Sequence, residues 1–134
     1  MIILYVDDDL DDRFIISEVF KEIDPSINCL TVCDGRQAID FLNNSGPMPD
    51  YIFLDINMPV MDGKECLVEL KQNKKFKEIP VIIYSTTNDP TEIKSFYRLG
   101  ASCFMHKPNT FRQLHNMLHG FLDRARDGHS GFVN

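Results

Sequence analysis

Basic residues are scarce in this chain: 14 Lys and Arg stand against 20 Asp and Glu, which gives a formal net charge of −6 at pH 7. Proteins that bind nucleic acid need clustered Lys and Arg to neutralise backbone phosphates. The charge balance therefore argues against a nucleic-acid partner.

Long apolar runs are missing as well. No run approaches the roughly 20 apolar residues that a membrane-spanning helix needs. The opening MIILYV is followed by three aspartates, where a secretion signal carries small residues for cleavage. We therefore expect a cytoplasmic protein without membrane contact, and 134 residues suffice for one domain with a buried core.

Cysteine motifs of the zinc-binding kind are absent too. The four cysteines, Cys29, Cys33, Cys66 and Cys103, include no CxxC pair, and no histidine lies beside them at zinc-ligand spacing. We expect small buried side chains in a reducing compartment rather than metal ligands or disulfide partners.

What the sequence does contain is a regular alternation of strand-like and helix-like segments. The predicted strands are apolar runs rich in β-branched residues: Ile2–Val6, Ile27–Cys33, Tyr51–Leu54, Val81–Tyr84 and Ser102–Met105. The predicted helices carry apolar residues at helical spacing: Asp11–Ile23, Arg36–Leu42, Lys64–Lys71, Thr91–Leu99 and Thr110–Arg124. Phe14 and Phe111 belong to the apolar stripes of the first and last helices, and Gly100 is predicted as a left-handed cap. Strands that are apolar throughout are buried on both faces, so the pattern predicts an α/β fold in which helices cover a parallel sheet.

Residues able to do chemistry follow the predicted strands. Asp7 and Asp8 come after the first strand, Asp55 after the third, Ser85 after the fourth and Lys107 after the fifth. Parallel strands end at one edge of the sheet, where such folds bind ligands. Bunched carboxylates repel one another unless a hard cation such as Mg²⁺ relieves the repulsion. Since a carboxylate can be the nucleophile that forms an acyl phosphate, these residues predict Mg²⁺-assisted phosphoryl transfer to an aspartate.

The same residues carry a resemblance to a known family. The motifs are VDDD at Val6–Asp9, LDINMPVMDG at Leu54–Gly63, YST at Tyr84–Thr86, GAS at Gly100–Ser102 and KP at Lys107-Pro108. In this order and spacing, from about Ile2 to Leu122, the chain resembles the receiver domain of two-component response regulators. The resemblance extends to stand-alone receivers of the chemotaxis-regulator and phytochrome-associated types. It implies a flavodoxin-like (βα)5 doubly wound parallel sheet with strand order 2-1-3-4-5, a receiver domain over residues 1–124 and a short polar tail over 125–134.

The resemblance also implies roles for particular residues. Asp55 resembles the phosphoacceptor. Asp7 and Asp8 resemble the acidic pair that holds Mg²⁺, with Asp8 the direct ligand and Asp7 acting partly through water. Asn57 stands where the family uses a backbone carbonyl as a metal ligand. Ser85 matches the hydroxyl that moves toward the phosphoryl group.

The fifth strand and the loop after it supply the remaining roles. Lys107 matches the amine that pairs with the phosphoryl group, and the family's peptide bond between Lys107 and Pro108 is cis. Phe104 occupies the position of an aromatic that swings inward when the hydroxyl moves, so its outward state would expose apolar surface. His106 and Asn109 depart from the commonest pattern, and we assign them no role.

The implied partners are proteins. A sensor histidine kinase or a histidine phosphotransfer protein would donate the phosphoryl group, and a downstream protein would read the change. The resemblance also allows a homodimer.

Two other functions are open to residues of this kind. An aspartyl-phosphate hydrolase needs a second acid two residues after the nucleophile, and Asn57 occupies that position. A pseudo-receiver that docks without phosphorylation usually lacks a site residue, whereas Asp8, Asp55, Ser85 and Lys107 are all present. We therefore predict a phosphoacceptor switch and no separate enzyme, with self-catalysed phosphoryl transfer and autodephosphorylation as its only chemistry.

Overall fold

A computed structural model describes residues 1–44 and 47–127, and over this part of the chain five strands alternate with five helices. The strands are β1 (Ile2–Val6), β2 (Asn28–Val32), β3 (Tyr51–Leu54), β4 (Val81–Ser85) and β5 (Cys103–His106). The helices are α1 (Leu10–Ile23), α2 (Gly35–Asn44), α3 (Gly63–Gln72), α4 (Pro90–Arg98) and α5 (Phe111–Arg126).

The strands form one sheet in the order β2-β1-β3-β4-β5, and every pairing between neighbours is parallel. The predicted fold class and strand order are therefore confirmed. Strands β3 and β4 are apolar almost throughout because both faces of the sheet are covered, and the side chains of Val81–Ser85 are all buried.

Two hydrophobic clusters lie on the two faces of the sheet. One packs Leu4, Leu54 and Ile83 against side chains of α2, α3 and α4, including Phe96. The other packs the alternate strand residues, such as Phe53, against α1 and α5. Because successive strand residues point to opposite faces, each central strand contributes to both clusters.

Local signals set the ends of the helices. Asp9 caps α1 by accepting a hydrogen bond from the backbone of Asp12. Asp62 and Glu65 form a reciprocal capping box at the start of α3. Gly100 follows α4 with φ of 108°, as predicted, a conformation that a residue with a Cβ rarely adopts.

Two aromatic residues predicted in buried stripes are instead exposed: Phe14 is 65% and Phe111 is 53% exposed. The buried face of α1 runs through Ile16, Val19 and Phe20. Phe14 precedes Ile16 by two residues, about 200° around the helix axis, and therefore lies on the opposite side. Phe111 is the first residue of α5 and lines a cleft beside Lys107 rather than the core.

Two smaller expectations differ from the structure, and parts of the predicted loop and tail lie outside the described residues. Helix α5 continues to Arg126, two residues beyond its predicted end, so the predicted tail begins inside a helix, and residues 128–134 lie outside the described part. Ser45 and Gly46 of the predicted loop after α2 are outside it as well. No peptide bond in the described segments is cis, so the bond before Pro108 is trans, the isomer that X–Pro bonds favour by about 0.5–1 kcal/mol.

No disulfide joins any of the four cysteines, all of which lie in the described segments, and Cys66 and Cys103 are buried. Among the described residues, no helix combines the length and the apolar character that crossing a membrane requires.

Candidate functional site

The predicted site residues meet at the carboxyl edge of the sheet. Asp7 follows β1, Asp55 follows β3, Ser85 ends β4 and Lys107 follows β5. Backbone hydrogen bonds continue the sheet past the strand ends: the Asp55 N–H donates to Val6 at 2.9 Å, and the Lys107 N–H donates to Ser85 at 2.8 Å. Rigid backbone therefore presents these side chains to one another.

Asp7 is fully buried, and protein donors contact both of its carboxylate oxygens. Its Oδ1 accepts from the backbone N–H of Asp9 at 2.9 Å, and its Oδ2 accepts from Lys107 Nζ at 2.9 Å and from the hydroxyl of Tyr5. Burial, together with the charge and hydrogen bond of Asp7, raises the pKa of Tyr5 far above its usual value, so the hydroxyl stays a donor. Because protein donors already occupy both oxygens of Asp7, little of the carboxylate remains for direct coordination of a metal ion. This suits a carboxylate that contacts the ion through a bridging water.

Lys107 is the centre of positive charge in the site. Its Nζ lies 2.9 Å from Asp7 Oδ2, 2.9 Å from Asp12 Oδ2 and 3.6 Å from Asp55 Oδ1, and it stands 5.4 Å from the ring centroid of Tyr84. Burial alone would lower the pKa of Lys107, but the hydrogen bonds to Asp7 and Asp12 and the charge of Asp55 raise it overall. The ammonium group therefore stays charged at any physiological pH.

Asp55 is 7% exposed, and its pKa is raised from 3.8 to about 7. Burial is the largest cause, and the charge of Asp7 adds to it, while Lys107 and the backbone N–H of Ile56 act in the opposite direction. Any positive charge added beside Asp55 would stabilise its ionised form and lower this pKa.

The carboxylates of Asp7, Asp8 and Asp55 can each offer an oxygen within 4.8 Å of the others. Asp8 is exposed at the rim of this group, whereas Asp7 and Asp55 are buried. An all-oxygen, acidic set with one side open to water suits a small hard divalent cation that keeps part of its hydration shell.

Ser85 and Asn57 occupy different surroundings. Ser85 is 1% exposed, and its Oγ accepts from the backbone N–H of Thr87 at 3.2 Å. The side chain of Asn57 is exposed in the loop between Asp55 and α3. The ligand role expected for the Asn57 carbonyl stays a prediction.

That loop folds tightly against Asp55. The Gly63 N–H donates to Ile56 at 2.8 Å, and a Cβ at Gly63 would lie 2.4 Å from the carbonyl oxygen of Asp55. Val60 in the same loop has φ of 69° and is 80% exposed. Glycine at position 63 is therefore required by close approach, and Val60 carries backbone strain.

Three residues of the site were not predicted: Tyr5, Asp12 and Tyr84. Tyr5 and Asp7 are two residues apart, so they emerge from the same face of β1, and this spacing was a usable signal. Asp12 lies in the first turn of α1, and no local pattern relates it to Lys107, 95 residues later. The rings of Tyr5 and Tyr84 pack edge to face with centroids 5.9 Å apart.

His106 and Phe104, both in β5, make the following contacts. His106 is exposed, and its Nε2 bonds to the carbonyl of Thr86 at 3.0 Å. Phe104 is only 8% exposed, so its ring is inward, and its N–H donates to the Tyr97 hydroxyl of α4 at 2.9 Å.

Comparison with known proteins agrees with this geometry. The family model described as the response regulator receiver domain matches residues 3–119. The chain is 33% identical over 124 residues to the response regulator Rcp1 of Synechocystis sp., covering 89% of this chain and 84% of that protein. The phosphorylated cyanobacterial phytochrome response regulator RcpA superposes with a TM-score of 0.87 at 29% identity, over 98% of both chains. The Mn²⁺-bound form of Rcp1 gives a TM-score of 0.81 at 30% identity, over 99% of this chain and 98% of that one.

The family match covers most of the chain, and the strand order and the position of the acidic cluster agree with it. This chain belongs to the response regulator receiver domain family.

Proposed function

We propose that this protein is a phosphoacceptor switch that takes a phosphoryl group onto Asp55 with the help of Mg²⁺. The observation that carries the proposal is the position of the Asp55 carboxylate, which has Asp7 and Asp8 beside it and the Lys107 ammonium 3.6 Å away. A nucleophile, a cation site and a fixed positive charge are the parts that phosphoryl transfer to a carboxylate needs.

In the proposed reaction, a carboxylate oxygen of Asp55 attacks phosphorus. The bond between phosphorus and the donor's histidine nitrogen breaks, and the donor leaves with that electron pair. Asp7, Asp8 and Asp55, together with the carbonyl of Asn57, would hold Mg²⁺, which when bound neutralises charge on the phosphoryl oxygens. Lys107 orients and neutralises a phosphoryl oxygen, and Ser85 donates a hydrogen bond to another.

Relatives with known structures support this assignment. One solved relative is phosphorylated, and another carries Mn²⁺, a hard divalent cation of the same class as Mg²⁺. We extend both properties to this chain and propose a histidine kinase or histidine phosphotransfer protein as the donor, in the cytoplasm.

The output would travel through β5 and its neighbours. Ser85 is buried, and moving its hydroxyl toward a phosphoryl group shifts the packing next to Phe104, which is tied to α4 through Tyr97. We therefore propose that phosphorylation alters the α4–β5–α5 surface read by a downstream protein. Ser85→Ala should accept the phosphoryl group and transmit this change poorly, measured as amide NMR shifts of α4 and α5.

The test of the acceptor is labelling with acetyl phosphate and Mg²⁺, followed by intact mass. Wild type should gain one phosphoryl group, Asp55→Asn none, and Asp40→Asn, which changes an exposed acid on α2, should behave as wild type. EDTA should abolish labelling.

Other outcomes would identify other functions. Labelling of Asp55→Asn, or labelling that persists in EDTA, would contradict the site. No labelling at all would favour a docking module, and rapid release of phosphate from added phosphoesters would favour a hydrolase.

A further inference from the structure

Asp12 is a partner of Lys107 that lies outside the motifs of the site. It belongs to the first turn of α1, and its Oδ2 accepts from Lys107 Nζ at 2.9 Å. The same Nζ is 3.6 Å from the nearest oxygen of Asp55. The lysine therefore contacts Asp12 more closely than it contacts the proposed acceptor.

The two carboxylates bonded to Lys107 compete with Asp55 for its ammonium group. An ammonium carries three N–H donors, and two of them are directed to Asp7 and Asp12. A separation of 3.6 Å is longer than a charge-assisted N–H···O bond, which is about 2.7–2.9 Å, so in this arrangement Lys107 is bonded to Asp7 and Asp12 and not to Asp55.

Of the two carboxylates that accept hydrogen bonds from Lys107, Asp12 is the one that can lose the contact at the lower cost. Asp7 is fully buried and is also held by Tyr5 and Asp9, so it keeps its place. The side chain of Asp12 is 38% exposed, and water can solvate its carboxylate when the lysine leaves.

We propose that Asp12 is a positioning residue that holds Lys107 away from Asp55 in the unphosphorylated protein and releases it when a phosphoryl group arrives. This rests on the proposed function. A phosphoryl group on Asp55 offers a stronger anionic partner than a single exposed carboxylate, so the lysine transfers from Asp12 to a phosphoryl oxygen.

Loss of the Asp12–Lys107 contact would also change how the neighbouring elements are held together. The Asp12–Lys107 contact joins α1 to the segment between β5 and α5 across a cleft of about 290 Å³. Ile15 and Phe111 line this cleft, are exposed, and approach it from the two helices. Release of Asp12 removes an ionic contact between α1 and the segment that joins β5 to α5, so phosphorylation changes this side of the domain as well.

The experiment compares Asp12→Asn with Asp11→Asn. Both variants remove one acid from the first turn of α1 and change the net charge equally, but Asp11 is exposed and is not a partner of Lys107. Binding of beryllofluoride, a phosphoryl mimic, is titrated at saturating Mg²⁺ and followed by amide NMR signals. Asp12→Asn should bind about threefold to tenfold more tightly than Asp11→Asn, since Lys107 no longer has to leave an ionised partner.

A second readout follows the lysine itself. In wild type, the ¹⁵Nζ signal of Lys107 should shift when beryllofluoride is added. In Asp12→Asn it should already lie displaced toward the bound position before the addition, which a merely structural role for Asp12 would not produce. Asp12→Glu, which restores the carboxylate, should return both the affinity and the ¹⁵Nζ signal toward wild type.

The outcomes separate this inference from the function on which it rests. If wild type takes up neither acetyl-phosphate label nor beryllofluoride, the proposed function itself fails. If wild type does so, and Asp12→Asn binds no more tightly than Asp11→Asn, the role of Asp12 is refuted. Should Asp12→Asn fold poorly, the shift of the wild-type ¹⁵Nζ signal decides: a Lys107 signal unmoved by beryllofluoride refutes the transfer.

Discussion

Asp55 should destabilise the metal-free protein, and replacing it with Asn should stabilise the fold. The pKa of its carboxyl rises from 3.8 to about 7 because the group is buried beside Asp7. Such a group is neutral in both the folded and unfolded states at low pH. Between these two pKa values the unfolded chain ionises first, so stability falls as pH rises and the full penalty is present above pH 7.

The size of the penalty follows from the two values. A rise from 3.8 to about 7 sets an upper limit of about 4 kcal/mol, at about 1.36 kcal/mol per pKa unit. Water reaches the open rim at Asp8, so we expect about half of this, or about 2 kcal/mol. Asp55→Asn leaves Lys107 with Asp7 and Asp12 as partners and therefore creates no unpaired buried charge.

The assay is urea unfolding in EDTA at pH 8 and at pH 5. At pH 8, Asp55→Asn should be more stable than wild type by about 2 kcal/mol, equivalent to about 7 °C in Tm for a domain of this size. At pH 5 the gain should be smaller, because the Asp55 carboxyl of the folded protein is then largely protonated and carries little buried charge. Asp40→Asn, at an exposed site on α2, should show no such gain at either pH. An Asp55→Asn protein less stable than wild type at pH 8, or a gain independent of pH, would refute the reasoning.

Three further predictions concern the surroundings of the site. Saturating Mg²⁺, at about 100 times its dissociation constant, should stabilise wild type by about 2.7 kcal/mol and Asp55→Asn by much less, measured as Tm with and without EDTA. Tyr5→Phe removes a hydrogen bond to the buried carboxylate of Asp7 and should cost about 1.5–3 kcal/mol in urea unfolding; an unchanged midpoint would contradict the contact. Gly63→Ala places a Cβ 2.4 Å from the Asp55 carbonyl and should cost more than about 2 kcal/mol, whereas Gly120→Ala on α5, whose nearest neighbour is Arg124 at 3.7 Å, should gain about 0.5–1 kcal/mol.

The parts of the fold that the sequence predicted well are those governed by local pattern. β1 and β3 were predicted with their observed ends, because an apolar run buried on both faces stops where a charged or turn residue follows. The meeting of Asp7, Asp55, Ser85 and Lys107 followed from topology alone, since parallel strands end together.

The parts that the sequence did not predict depend on packing between distant elements. Asp12 reaches Lys107 only because α1 lies beside the segment after β5, and periodicity cannot place two such elements against each other. The exposure of Phe14 could have been predicted from the sequence. Ile16 lies on the buried face of α1, and Phe14 is about 200° away from it around the helix axis. The buried position of the Phe104 ring depends on how tightly its neighbours fill the core. A sequence pattern carries no information on that packing.

The 100 residues that separate Asp7 from Lys107 have a consequence for the newly made chain. During synthesis the N-terminal strands emerge first, and β5, at the edge of the sheet beside β4, emerges last of the five described strands. Until it does, the acids after β1 and β3 face one another without their ammonium partner. Before β5 is added, the carboxylates of Asp7 and Asp55 therefore repel one another at the proposed cation site. We expect the addition of β5 both to complete the sheet and to relieve this repulsion.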